Sequence, residues 1–319
     1  MNPFSRLVKP LWPSAAVGLA GDGASVVSLD RRRDTFVVKR AGYVPLAEGL
    51  LHPSFDESNV ADAAELADAL ARLAESTGLA RRRRWSAALP EASSRTAILT
   101  LESAPTSRAE SEEMLRWKTE RVFGAGVDEL RISRFRLRPD AQGRVRYLAT
   151  AARLSVLAEY ESVFAALGWR VGLMLPRHLG EEQWLLRDRA PSDSLLVSSH
   201  REGFTAALLR AGQPLLVRSI ICDQEDRADE LYRFLLFYRD RLQPDADGGE
   251  AEFAGPGIER VLVAGEGLGE QQTGAIIEET LQTRPRLLRA EDVRLALPSS
   301  ELPFRQLAAP AGLAALAWG

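Results

Sequence analysis

The sequence predicts an α/β fold of two lobes, with a smaller α+β module inserted into the first. Three observations predict it. Residues 17–30, VGLAGDGASVVSLD, are two apolar runs around a Gly-Asp-Gly turn, a β-hairpin pattern. The same pattern returns at 194–221, with strands at 194–198, 204–210 and 214–221 and a polar turn at 199–203. Between the two lies a strand, helix, two strands, helix, strand sequence, a workable subdomain size.

The elements follow in order. Residues 1–14 are a lead-in rich in proline, with Phe4, Leu7, Leu11 and Trp12 as its apolar residues. After the first hairpin, 35–41 (TFVVKRA) is a β-branched strand. Residues 59–78 read as a helix with Leu66, Leu70, Leu73 and Ala74 on one stripe and Gly78 at its end. The arginines at 81–84 stand directly before the apolar strand 85–89, so they read as a solvated connection rather than a nucleic-acid patch. Residues 96–101 are the next strand, and Ser107 with Glu110 predicts a capping box at the start of the following helix. Strands at 127–137 and 145–152 flank a turn at 140–143, followed by a helix at 155–168 and a strand at 169–175. A polar linker at 187–194 separates the halves. The second half continues with helices at 225–243 and 270–282 around the strand of GIERVLVAGEGLG, and a small-residue apolar helix closes the chain. The expected divisions are 1–14 lead-in, 15–188 lobe I with the inserted module at 98–175, 189–300 lobe II, and 301–319 packing back on lobe I.

Composition narrows the function classes. The chain has 319 residues, 45% hydrophobic and 27% charged, with a net charge of −3, so no global field draws it to nucleic acid or anionic lipid. One cysteine, Cys222, excludes an internal disulfide and fits a reducing compartment. His52, His178, His200 and Cys222 are scattered, which argues against a zinc site. No run of ~18 apolar residues spans a membrane.

The ordered set VGLAGDGASVVSL, WSAALP, ESEEMLRWKTERVF, YLATAARLSVLAEYESVFAALGWRV, GQPLLVRSI, ELYRFLLFYRDRL, ERVLVAGEGLG and AAPAGLAAL resembles the PilM family of type IV pilus assembly. That family is akin to FtsA within the actin/Hsp70/sugar-kinase superfamily. The cytoplasmic domain of GspL in type II secretion has a similar build and is the near alternative. The resemblance implies an actin-like bilobal fold with the FtsA-type inserted subdomain. It implies a scaffold on the cytoplasmic face of the inner membrane, held there through partners. The implied partner is the cytoplasmic N-terminal peptide of a PilN-like bitopic membrane protein, with pilus motor ATPase components as further partners.

Laid on the family's first phosphate loop, Gly18 and Ser25 match, Ala20 stands where an acid is expected, and Val27 replaces a lysine. In the second loop Ser198 and Ser199 stand at an acid–glycine pair, and Glu202 and Gly203 come later. The third loop keeps its glycines as Gly265 and Gly267. Gly21, Asp22, Gly23, Ser25, Ser198, Ser199, Gly265 and Gly267 are therefore the lining expected of a degenerate nucleotide cleft. Turns of glycine and serine hold phosphate through backbone N–H groups, but magnesium needs carboxylates that two of the loops lack. No catalytic residue, metal or required cofactor is expected. ATP with magnesium is the ligand an active relative takes, and Asp22 and Glu202 are the substitutes an active ATPase would have to use. For the partner peptide the candidates are Trp117, Arg121, Phe123, Tyr160 and Phe164, for each of which core packing is the competing role.

Overall fold

A computed structural model describes residues 12–103, 105–140, 142–187, 192–242, 257–298 and 302–318. Residues 1–11 of the lead-in and most of the 244–257 loop lie outside the described residues.

The first hairpin forms as its pattern predicts. β1 (Ala15–Ala20) and β2 (Gly23–Arg32) pair antiparallel with Ala20 opposite Gly23, leaving Gly21 and Asp22 as the tip. β3 (Thr35–Pro45) adds antiparallel to β2, and β4 (Arg84–Leu89) runs parallel to β1. β1 is buried on both faces. Ala15, Val17 and Leu19 enter one core, under α1 (Ala63–Ser76), and Ala16 enters another. A strand covered on both sides needs apolar residues throughout, and AAVGLA supplies them. Asp62 caps α1 by accepting from the backbone N–H groups of Ala64 and Glu65, both at 2.9 Å, so the helix starts four residues later than its apolar pattern suggests.

The inserted module is shorter than 98–175. Its sheet contains β5 (Arg95–Thr100), β6 (Leu130–Arg136) and β7 (Arg146–Arg153) in the order β5-β7-β6. α2 (Arg108–Phe123) packs on one face of it, through Leu115 and Phe123 against Leu99, Ala149 and Ala151. Ser107 caps α2 at the Glu110 N–H, and Glu110 answers by accepting from Thr106 N–H at 2.6 Å. The following α3 (Leu154–Ala166) and β8 (Arg170–Pro176) belong to lobe I. α3 buries Val156, Leu157, Tyr160, Val163 and Phe164 with the residues of α1, and β8 extends the first sheet parallel to β4. Trp169 fixes that return by stacking on Trp85 at 4.3 Å.

Lobe II repeats lobe I. β9 (Asp193–His200), β10 (Gly203–Arg210), β11 (Gln213–Ile221), β12 (Ile258–Gly265) and β13 (Arg286–Leu287) assemble in the order β11-β10-β9-β12-β13. The first sheet runs β3-β2-β1-β4-β8, with β14 (Leu295–Ala296) added beside β3. Both sheets are thus an antiparallel meander followed by two parallel strands, the duplicated arrangement of the actin-like fold. α5 (Arg227–Leu242) and α6 (Glu270–Leu281) cover lobe II. Because β14 pairs with β3, the chain is back on lobe I by Leu295, earlier than the expected boundary at 300.

Two helices carry the junction. α4 (Arg177–Arg187), absent from the sequence expectation, leaves β8 and leads to lobe II. α7 (Phe304–Ala315) does not pack on lobe I alone. Its Leu307, Ala308, Ala311 and Ala314 share one core with Ala16 and Val27 of lobe I and Leu196, Ala207 and Leu262 of lobe II.

Candidate functional site

The tips of both hairpins and the end of β12 open on one cleft between the lobes, a cavity of about 330 Å³. Gly21, Asp22, Gly23, Ser25, Ser199, Gly265 and Gly267 all line it. Asp22 reaches the cleft with the hairpin in its native register. Ser198 does not line it. The β9 alternation turns Ser198 inward, onto the face that carries Leu196, where it is buried. Val27, at the lysine position, is buried in the interlobe core.

Side chains of the protein itself fill much of the polar space. Arg227, at the start of α5 and 4% exposed, donates to the carbonyls of His200 (2.7 Å), Arg201 (2.9 Å) and Glu266 (3.1 Å). It thereby ties the second loop to the third. Glu202 crosses the mouth of the cleft. A Cβ on Gly21 would lie 3.6 Å from Glu202 Oε1, and Glu202 Oε2 is 3.1 Å from His200 Nδ1. Burial pushes the Glu202 carboxyl up, but the His200 hydrogen bond, a backbone N–H and the charges of His200 and Arg201 together hold the group below its usual range.

The cleft floor holds a group that sequence reasoning missed. Glu91, just past β4, is buried and lies 2.6 Å from His178 Nδ1. It also accepts from the Thr205 hydroxyl of lobe II at 3.0 Å, so it bridges the lobes. Burial alone would raise the Glu91 carboxyl, but His178 brings it to about 2, and Glu91 in turn holds His178 up at about 9 against burial. Glu181 and Glu182 are buried on the same helix as His178. Burial raises Glu182 to about 7, and Arg177 lies 3.5 Å from Glu181. Arg177, His178, Glu181 and Glu182 sit in a charged stretch that resembles solvated surface, Glu91 is a lone acid after an apolar strand, and only the contact between β4 and α4 reveals the cluster.

Glu91 and Glu202 at the cleft therefore have partners within the protein. Among the described residues no group of three His, Cys, Asp or Glu side chains gathers as metal ligands. The arrangement offers backbone N–H groups at glycine turns, which suit an anion.

The candidate partner residues do not come together. Phe123 is 1% exposed in the module core. Tyr160 and Phe164 lie in the lobe I core rather than in the module, Tyr160 donating to Asn59 Oδ1 at 3.0 Å and Phe164 stacking near Trp169. Only Trp117 and Arg121 stand outward, with Trp117 58% exposed and the Arg121 guanidinium 5.2 Å from its ring.

A different groove opens on the other face of the module sheet, between it and β8. Arg131, Ser133, Thr150 and Ala152 form one wall, and Gly172, Leu173 and Met174 form the other, around a cavity of about 280 Å³. β8 is the last strand of its sheet, so its outer backbone groups are unpaired by any strand. Period-2 alternation explains the wall, since Leu130, Ala149 and Ala151 face α2 and their neighbours face the groove.

No protein-family model and no curated protein sequence matches the chain. Solved structures do. The chain is similar to a structure of a PilM–PilN type IV pilus biogenesis complex, with a TM-score of 0.76 and 19% identity over 97% of this chain and 100% of that one. It is also similar to the cytoplasmic domain of EpsL, an inner-membrane component of the type II secretion system of Vibrio cholerae (TM-score 0.47, 13% identity, 95% and 93% covered). A Bacteroides thetaiotaomicron protein of unknown function with an actin-like ATPase fold matches at a TM-score of 0.48 and 12% identity, over 97% and 98%. At these identities the likeness speaks to fold alone: the chain shares the fold of the PilM–PilN complex structure, and its duplicated sheet order is that of an actin-like fold with an inserted module.

Proposed function

We propose that the chain is an actin-like adaptor of a type IV pilus inner-membrane complex, which docks the short cytoplasmic tail of a PilN-like single-span membrane protein and does not hydrolyse nucleotide. One observation carries this reading, the groove along the unpaired edge of β8. An extended peptide laid there gains main-chain hydrogen bonds from the strand edge and side-chain contacts from the module sheet. The similarity to the pilus complex structure over the whole chain supports the same choice. Among the described residues no helix is long and apolar enough to cross a membrane, and in this reading the span of the partner holds the complex at the membrane. Arg227 and Glu202, whose side chains take up room in the cleft with contacts of their own, favour an adaptor over an ATPase.

Calorimetric titration tests it, with synthetic N-terminal tails of the single-span membrane proteins encoded beside this one. One tail binds saturably, and Gly172→Trp weakens it at least tenfold. A Cβ on Gly172 meets nothing within 4 Å, so the indole fills the groove without disturbing the core. Binding indifferent to that substitution overturns the assigned groove. Magnesium-dependent ATP turnover by the same preparation overturns the adaptor reading.

A further inference from the structure

A second interlobe cavity lies at the opposite end of both sheets from the nucleotide cleft, and its lining is basic. Its volume is about 280 Å³. Five guanidinium groups converge on it. Arg31 comes from the end of β2, Arg187 from the end of α4, Arg260 and Arg286 from β12 and β13, and Arg294 from the turn before β14. Two carboxylates face them, Asp34 and Asp292. Asp292 is already engaged, by Arg286 and by the Arg289 N–H.

The two central cations are held in place without a counter-charge. Arg187 stacks on Phe36 at 4.1 Å from the ring centroid and donates to the Ala315 carbonyl at 2.9 Å. Arg31 lies 5.8 Å from the same ring and donates to the carbonyls of Arg33 and Trp318. Among the described residues no carboxylate lies within 4 Å of either guanidinium. Burial, and then the charge of Arg31, push Arg187 down to about 10. Phe36 is itself fixed by edge contacts from Trp184 and Trp318, so its ring is a rigid floor. Like charges drawn together on one aromatic ring repel each other, and most of their N–H donors remain unspent.

We propose that this cavity binds a small soluble ligand carrying phosphoryl groups with at least two negative charges. Planar guanidinium forks match phosphoryl oxygens two at a time, and arginines on several walls match an anion with oxygens on several sides better than a single carboxylate. The cavity takes residues from lobe I, from α4 and from lobe II, so its ligand clamps the lobes from behind.

Inorganic pyrophosphate titrated into the full chain at physiological salt, followed by calorimetry, is the test. Wild type binds saturably at one site. Arg31→Gln and Arg294→Gln, made separately because both side chains are peripheral to the core, each lower the affinity at least fivefold. Asp34→Asn raises it about threefold, a gain that a folding defect does not produce. Arg201→Gln, in the nucleotide cleft, leaves the affinity unchanged. No saturable binding by wild type overturns the proposal. So does binding that survives Arg31→Gln and Arg294→Gln, or that Arg201→Gln abolishes, which assigns it to the cleft.

Discussion

Glu91 and His178 show how much one buried pair can set at the residue scale. Each partner stabilises the charged form of the other, and the sign of the effect on stability differs along the pH scale. Glu91, depressed to about 2, contributes stability above its ordinary 4.5 that is lost as pH falls from there through 2. His178, raised from 6.5 to about 9, contributes stability that is whole below 6.5 and is lost as pH rises through 9. Glu182 works in the opposite sense to Glu91. Its carboxyl is raised from 4.5 to about 7 by burial, so the fold favours its protonated form and loses stability as pH climbs between those values. The urea midpoint is therefore expected to decline from pH 5 to 9. In Glu182→Gln the decline between pH 5 and 6.5 becomes shallower, and the remaining fall, on the order of 3 kcal/mol, begins near 6.5, where the histidine of the unfolded chain loses its proton while His178 in the fold keeps it. An unchanged slope in Glu182→Gln, read from chemical denaturation at each pH, would show that this carboxyl is not held neutral.

At the scale of elements, the crossing of α4 and α7 decides how closely the lobes approach. A Cβ on Gly312 would come within 1.8 Å of the Gly180 carbonyl oxygen, and one on Gly180 within 2.5 Å of the Ala309 carbonyl. Backbone meets backbone there, and Trp184 locks the pair by donating to the Ala308 carbonyl at 2.8 Å. Gly312→Ala is expected to cost about 2–4 kcal/mol, whereas Gly172→Ala, in open space, stays within about 0.5 kcal/mol; urea denaturation of the two variants separates them. Equal stabilities would mean the helices slide apart at little cost. The same crossing marks the limit of what the sequence tells. Short continuous apolar runs such as AAVGLA and GFTAALLR read directly as strands, and the recurrence of the hairpin pattern points to the two lobes. The segment RHLGEEQWLLR reads as polar and carries a glycine, so nothing local marks it as the buried helix α4. Its His178 is paired with Glu91, far along the chain, and local patterning does not encode such a pair. The site shows the same division. Glycine turns announced the cleft, but Arg227 became part of it only through the fold, and Tyr160 and Phe164 carry identical local signals for a groove and for a core.

For the whole molecule the question is whether two lobes behave as one body. Ties of three kinds join them among the described residues. The core around α7 contains residues of both sheets, Glu91 bonds to Thr205 across the cleft, and the inserted module reaches lobe II, where Arg138 N–H donates to Gln213 Oε1 at 2.8 Å and Arg146 to the Leu215 carbonyl at 3.1 Å. Lobes that share a core lose it together, so unfolding is expected to be a single transition. The sequence provides a convenient probe. All six tryptophans lie outside lobe II, at Trp12, Trp85, Trp117, Trp169, Trp184 and Trp318. Tryptophan fluorescence therefore follows lobe I, the module and the junction, while far-UV circular dichroism follows every helix and sheet. In urea the two signals are expected to coincide for the full chain. Removing residues from 302 onward takes away the shared helix and exposes the faces of both sheets that it covered, Ala16 and Val27 on one side and Leu196 and Leu262 on the other. The fluorescence curve then separates from the circular dichroism curve, because lobe II melts unseen by tryptophan. If the two curves already part in the full chain, the α7 core does not couple the lobes, and each folds on its own side of the cleft.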